Sequence, residues 1–269
     1  MSPHALSLLT AGLMAAASAT SLLVPGLYRD NLLVTSGWHG NDLATLAVAA
    51  PLLAGSAMAA RRGSTRANLV AFGMLGYAIY NYAFYLFGAA FNRLFLVYVA
   101  LVVLPAVALI AGLVTLDVER VRAAAAHAPA RGVGAWMLLV GIGLGGFWIA
   151  TSLASAATGS VPPIVAAVGH PTNVIAALDL TMVVPLMLVG GIWLWGRRPW
   201  GYVIAVIANV KGAAYMLALS AATMAAVRAG AGDATQLALW VPIGAGSLVA
   251  ALVLLRKRGQ APFPRRGNC

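Results

Sequence analysis

Charge and cysteine are both scarce in this chain. Only 9% of its 269 residues are Asp, Glu, Lys or Arg, whereas soluble domains carry about 25%. The one cysteine is Cys269, so the chain can form no intrachain disulfide and has no cysteine pair for a structural zinc site. The composition therefore excludes a soluble charged domain and a disulfide-stapled fold.

The signatures of common membrane-bound enzymes are also missing. The sequence contains no HExxH, GxSxG or DDxxD stretch, and none of its apolar runs holds two carboxylates. An intramembrane enzyme acting on a lipid or prenyl substrate is therefore disfavoured. We expect neither a metal ion nor another cofactor.

Apolar residues dominate what is present. They make up 62% of the chain, and the mean hydropathy is +0.90. A helix needs about 20 residues to cross the hydrocarbon core of a bilayer. Eight apolar runs have this length, at 5–27, 42–60, 67–90, 94–116, 133–155, 173–195, 200–226 and 236–255. They are rich in Ala and Leu and longer than strands, which predicts an all-α polytopic bundle in the lipid bilayer, forming one integral membrane domain.

The basic residues predict the orientation of this bundle. Thirteen of the 17 Lys and Arg residues fall in alternate loops and in the basic segment 256–269, and the opposite loops carry only Arg29, Arg93 and Arg228. Cytoplasmic loops are enriched in Lys and Arg, so we expect both termini in the cytoplasm and 256–269 to be a cytoplasmic tail. The net charge of +11 then reflects these loops, and no nucleic-acid partner is expected.

The first span has a second interpretation. Its stretch "ALSLLTAGLMAAASA" also fits the apolar region of a signal peptide with a small-residue cleavage site. The preceding residues contain no Lys or Arg, and the apolar run continues to Leu27, which favours an uncleaved span. The remaining topology is the same in both cases.

Prolines and a weak internal similarity suggest a duplication. Every even-numbered span contains a proline that can kink it, namely Pro51, Pro105, Pro185 and Pro242. "WHGND" leads to Pro51 and then "RRG", while "GHPTN" leads to Pro185 and then "RRP". This order suggests a 4+4 parallel repeat of the kind found in some transporters. Chance similarity between Ala-rich helices is the alternative.

Three stretches of the chain resemble a known group of proteins: "LLVPGLYRD", "YNYAFYLFGAAFNRLFLVYVAL" and "HPTNVIAALDL". Together they resemble a family of bacterial multi-pass membrane proteins without an assigned activity. The resemblance implies a location in the bacterial inner membrane. It implies no catalytic residue, substrate or cofactor.

Two ionisable residues, Asp179 and Lys211, fall deep inside predicted spans. A charge near the bilayer centre costs about 2.5–3.5 kcal/mol, so such residues usually face protein or water and have a partner. The sixth and seventh spans are joined by the tight turn "GRRPW", so an Asp179–Lys211 contact is expected. Lysine, unlike arginine, can give up its proton, which would suit proton coupling or an anion site.

Other polar residues are expected near this pair. Tyr77, Asn81 and Tyr85 share one helical face, and Tyr215 lies one turn beyond Lys211. Asp42 opens the predicted second span, where it can line the site or cap the helix in water. Tyr82 and Tyr85 can equally be interface aromatics, and the Trp residues near helix ends are expected to be interfacial anchors. The candidate ligand- or proton-binding residues are Lys211, Asp179, Asn81, Tyr77, Tyr215 and Asp42.

Two classes of function fit these features. The first is a small-solute or proton-linked transporter with a polar site in the outer half of the membrane. The second is a membrane scaffold, sensor or complex subunit in which the Asp–Lys pair only holds helices together. A retinal protein is disfavoured because a retinal pocket needs bulky aromatic residues beside the chromophore, whereas the Trp residues of this chain lie mostly near predicted helix ends. The sequence leaves the solute and the oligomeric state open.

Overall fold

The computed structural model describes residues 2–256, and these residues form helices and turns without a strand. The helices, in chain order, are α1 (Pro3–Leu23), α2 (Leu32–Arg61), α3 (Thr65–Gly88), α4 (Phe95–Val114), α5 (Val118–Ala124), α6 (Ala130–Thr158), α7 (Pro163–Val168), α8 (Val174–Trp195), α9 (Pro199–Arg228) and α10 (Leu237–Leu255). All except the short α5 and α7 are long and apolar enough to cross a membrane. The expected all-α bundle with eight spans is therefore present. The predicted tail 256–269 lies outside the described residues, apart from Arg256.

The second span starts earlier than the sequence predicted. Helix α2 begins at Leu32, where the Asn31 side chain accepts a hydrogen bond from the Val34 N–H and caps the helix. The prediction began at residue 42 because "SGWHGND" is too polar for a helix surrounded by lipid. In the bundle, Asn41 and Asp42 are buried against protein, so the polar turns continue the helix. Each of the other predicted spans overlaps one of the long helices.

Three connections meet at one end of the bundle, which we call the loop end. The Asp30 carboxylate accepts a hydrogen bond from the Ala90 N–H at 3.0 Å, which joins the α1–α2 and α3–α4 connections. The Asn31 side chain donates to the Ala167 carbonyl at 2.9 Å, which adds the α6–α8 connection. Eight successive crossings then place residues 2 and 256 at the opposite end.

Helices α3 and α9 form the centre of the bundle. They are the most deeply buried of the eight long helices. In the most apolar 18-residue stretch of each, 72% and 61% of the residues are buried. Gly73 of α3 lies against Val210 and the Ile207 carbonyl of α9, so the two backbones approach closely. Side chains on these two helices consequently face protein rather than lipid.

Two segments of the chain have the same structure at a constant spacing. The long helices α2 and α8 each contain one π-helical turn, at Thr45–Ala49 and Asp179–Val183. These two turns begin 134 positions apart (179 minus 45). The α-helical parts that follow begin at Ala50 and Val184, and α3 and α9 begin at Thr65 and Pro199, again 134 apart.

The turn before each central helix follows the same spacing. Gly63 and Arg197, 134 positions apart, both have positive φ, at 88° and 54°. Arg197 is the one residue other than glycine with positive φ in the described chain. Positive φ at these corresponding positions agrees with the predicted 4+4 repeat. The constant spacing holds from the π turns into α3 and α9, while α4 and α10 begin 142 positions apart.

Candidate functional site

The central helix α3 supplies most of the buried polar groups. Its segment "YAIYNYAFY" runs from residue 77 to 85. None of its polar side chains is more than 1% exposed, and these are Tyr77, Tyr80, Asn81, Tyr82 and Tyr85. The interpretation of Tyr82 and Tyr85 as membrane-interface aromatics is wrong, because α3 is covered by neighbouring helices.

Asp179 lies where α3, α6 and α8 meet. Its carboxylate accepts hydrogen bonds from the Tyr80 hydroxyl at 2.6 Å and from Trp148 Nε1 at 2.8 Å. Trp148 is 4% exposed in the interior of α6, so its interpretation as an interfacial anchor is wrong. The two donors occupy one carboxylate oxygen each and hold the carboxylate in place.

Lys211 contacts the Tyr80 ring and not the Asp179 carboxylate itself. Its Nζ lies 3.6 Å from the centre of the Tyr80 ring and 4.8 Å from that of Tyr215, which are cation–π distances. The two rings meet edge to face, with centroids 4.6 Å apart. Among residues 2–256 the one ion pair is the exposed Arg122–Glu119, so the expected direct Asp179–Lys211 contact is not formed. The Tyr80 ring occupies the space between the two charges.

We call these five residues, Asp179, Tyr80, Trp148, Lys211 and Tyr215, the Asp179 centre. Lys211 is 7% exposed and Asp179 is 8% exposed, so the two charges are nearly enclosed by protein. The ammonium N–H groups have an aromatic face beside them, and no carboxylate in the described part of the chain lies within salt-bridge distance. A small anionic group is the chemical species that such an ammonium would bind most strongly.

A second buried carboxylate, Asp42, lies among hydroxyl groups. Oδ1 accepts hydrogen bonds from Ser18 Oγ at 3.2 Å and the Tyr85 hydroxyl at 3.0 Å. Oδ2 accepts them from the Tyr28 hydroxyl at 2.5 Å and from Ser21 Oγ. Asp42 is 3% exposed, so neither the expected position at the outer boundary nor the alternative of a helix cap in water applies. We call these five residues the Asp42 centre.

Tyr28 belongs to the connection between α1 and α2, and its hydroxyl is a firm donor. Burial and the negative charge of Asp42 raise the pKa of Tyr28 well above its usual value. The hydroxyl therefore keeps its proton and donates a hydrogen bond to the Asp42 carboxylate. Through this hydrogen bond, Tyr28 connects the loop end to the buried Asp42 carboxylate.

A row of polar side chains runs between the two centres. Asn41 Nδ2 donates a hydrogen bond to the side-chain oxygen Oδ1 of Asn81 at 2.8 Å. The Tyr77 hydroxyl lies 2.7 Å from Thr45 Oγ1. The Tyr77 hydroxyl also approaches Asn41 Oδ1 at 3.4 Å. Its ring is 6.3 Å from that of Tyr215. The structure thus brings all six candidate residues into one buried region where α2, α3, α8 and α9 meet.

Each π turn begins beside one of the centres. Thr45 is three residues after Asp42, and Asp179 itself opens the second π turn. The Ala50 N–H bonds the Thr45 carbonyl and the Val184 N–H bonds the Asp179 carbonyl, five residues back in both cases. Pro51 and Pro185 follow each turn, and their rings would clash with the carbonyl four residues earlier in a regular helix. The wider π turn accommodates them.

Sequence reasoning missed several residues of the two centres and of the polar row between them: Ser18, Ser21, Tyr28, Asn41, Thr45, Tyr80 and Trp148. Tyr80 is offset from the helical face of Tyr77, Asn81 and Tyr85, so the face-sharing argument passed over it. Ser18, Ser21 and Trp148 occupy helices that read as ordinary apolar spans. The density of tyrosines in residues 77–85 was the available signal for Tyr80.

We compared the chain with known families, curated proteins and solved structures. No family model, curated protein or solved structure matches it. The multi-pass helical architecture implied by the resemblance is present. Membership of that bacterial family stays a prediction, and the functional argument rests on the two centres.

Proposed function

We propose that this protein is a carrier of a small solute with an anionic group, linked to proton movement, in the bacterial inner membrane. One observation carries the proposal. The Asp179 centre lies where the corresponding helices α3 and α9 meet, and each half contributes a π turn six residues before a proline. Transporters with internal repeats commonly bind their solute between the repeats, on interrupted helices.

The residues of the Asp179 centre have distinct roles in this proposal. The Lys211 ammonium binds the anionic group of the solute, because no carboxylate of residues 2–256 pairs with it directly. Asp179 accepts and releases the coupled proton, with Tyr80 and Trp148 holding its carboxylate in place. The π turns provide positions at which α2 and α8 can change between two backbone arrangements as the halves move.

A direct test is solute-driven proton movement in proteoliposomes with a pH-sensitive dye inside. A panel of small carboxylates, amines and neutral sugars is added to the wild type, Lys211→Met, Asp179→Asn and the control Asp233→Asn in an exposed loop. We expect one class of carboxylate to change the internal pH in the wild type and control, and neither site variant to respond. The proposal is wrong if the wild type moves no solute or both site variants respond normally.

The close packing of the polar groups favours a second candidate. All candidate site residues are at most 8% exposed, and Asp179 already accepts two hydrogen bonds. A static role in a membrane scaffold, sensor or complex subunit needs only these contacts. Co-purification with one partner, together with an absence of flux for every solute tested, supports this candidate over the carrier.

A further inference from the structure

The charge inside the bundle does not balance. Its buried ionisable groups in the described residues are two carboxylates, Asp42 and Asp179, and one ammonium, Lys211. Lys211 lies against Tyr80, which itself donates to Asp179, so its positive charge is placed at that centre. Asp42 has four hydroxyl neighbours, and no cationic side chain of the described residues lies within salt-bridge distance of it. A buried charge is costly unless it is paired as well as hydrogen-bonded, so a positive charge beside this hydrogen-bonded carboxylate is favoured.

The groups around Asp42 are all oxygen donors. Ser18, Ser21, Tyr28 and Tyr85 place four hydroxyl oxygens beside its carboxylate. Oxygen ligands suit hard cations such as alkali and alkaline-earth ions. With a single carboxylate, a monovalent ion gives a neutral site, whereas a divalent ion would leave one buried positive charge. The composition of the centre therefore selects a small monovalent cation.

Two of the hydroxyls have a second acceptor that would free them for a cation. Ser21 Oγ lies 2.9 Å from the Ser18 carbonyl, and the Tyr85 hydroxyl lies 3.3 Å from the Trp38 carbonyl. Their hydrogens can turn from the carboxylate to these carbonyls, which leaves oxygen lone pairs facing the space beside Asp42.

A small cavity lies between this centre and the loop end. It is lined by Tyr85 and Tyr98 together with residues of the α3–α4 connection, including Asn92. The Tyr98 hydroxyl is buried and has no hydrogen-bond partner in the protein. Tyr85 borders both the cavity and Asp42, so one side chain separates the cavity from the carboxylate.

We infer that the Asp42 centre is a binding site for a small monovalent cation, with Na⁺ as the ion that fits its oxygen donors and charge. The site is separate from the Asp179 centre and does not require that the protein transport a solute. Asp42 neutralises the ion, and the hydroxyls of Ser18, Ser21, Tyr28 and Tyr85 complete its oxygen shell.

The test is the thermal stability of the purified protein as Na⁺ replaces choline at constant ionic strength. A ligand that binds only the folded protein raises the melting temperature as its concentration rises. We expect Na⁺ to raise it in the wild type and in Asp179→Asn, where the other buried carboxylate is changed. Asp42→Asn should lose the response.

Ser21→Ala keeps the carboxylate and covers the case in which Asp42→Asn does not fold. It removes one oxygen donor, and we expect about tenfold more Na⁺ to be needed for the same shift. Trp38, whose ring is 4.2 Å from that of Tyr85, gives a second, fluorescence readout. Equal effects of choline and Na⁺ on the wild type, or an unchanged Na⁺ response in Ser21→Ala, would overturn the inference.

Discussion

Tyr80 is the residue on which the Asp179 centre depends most. Its hydroxyl donates to the Asp179 carboxylate, and its ring face receives the Lys211 ammonium. A tyrosine can do both because the hydroxyl lies in the ring plane while the cation contacts the face. The ring therefore connects two buried charges that do not touch each other.

Replacing Tyr80 by Phe separates these two contacts. The ring and its cation–π contact remain, but Asp179 keeps only the Trp148 donor. Losing a hydrogen bond to a buried charged group costs about 1–3 kcal/mol, so we expect a lower melting temperature in detergent. Tyr82→Phe is the matched control, since Tyr82 is equally buried on the same helix and its hydroxyl has no partner. Equal melting temperatures for the two variants would contradict the role given to Tyr80.

At the scale of helices, close backbone approach decides how the bundle packs. Gly40 of α2 lies directly against the backbone of α9 at Ala221 and Ala222. A side chain at this position would separate the two helices, since the obstructing atoms are backbone and cannot turn away. The same helix carries Asp42 two residues later, so this contact also positions the Asp42 centre.

Gly40→Ala should therefore destabilise the protein, whereas Gly37→Ala should not. An added Cβ at residue 40 would lie 2.7 Å from the Ala222 Cα, but at residue 37 it meets only the Ala222 Cβ at 4.0 Å. Overpacking of this kind costs about 1–3 kcal/mol or more. Melting temperatures of both variants measure the difference. A similar loss in both would show that the α2–α9 contact is looser than the structure places it.

The whole molecule is a bundle whose charge distribution sets its orientation in the membrane. The connections 62–64, 115–129 and 196–198 lie at the end that holds the termini and, with the adjacent helix ends, carry eight basic residues, whereas the connections at the loop end and their adjacent helix ends carry Arg29, Arg93 and Arg228. This distribution predicts that the end with the termini faces the cytoplasm and that the loop end faces outward. Both buried carboxylates then belong to the half of the bundle nearer the outside.

Single cysteines introduced after Cys269→Ser test this orientation. Ala234 and Ala126 are exposed residues of connections at opposite ends of the bundle. In intact cells a membrane-impermeant maleimide should label Ala234→Cys, because its connection faces outward. Ala126→Cys should react only after the membrane is permeabilised. The reverse labelling pattern would invert the topology, and labelling of both in intact cells would contradict an eight-span arrangement.

The sequence alone predicted the bundle and most of its spans, because a helix that crosses a membrane needs a long run of apolar residues and such runs are visible in the sequence. It also singled out Asp179 and Lys211, since a charge within such a run is conspicuous against its neighbours. The start of α2 was misplaced for the same reason. Polar residues such as Asn41 look incompatible with a span until their protein partners are known.

Only the tertiary structure decided which polar groups meet. The contact expected between Asp179 and Lys211 was replaced by Tyr80 because helix rotation, set by packing at residues such as Gly73, determines which side chains face each other. The hydroxyls around Asp42 come from α1, α3 and a loop that are distant in sequence. Hydropathy fixes how deep a residue lies in the membrane, but the partner of a buried charge depends on how the helices turn against one another.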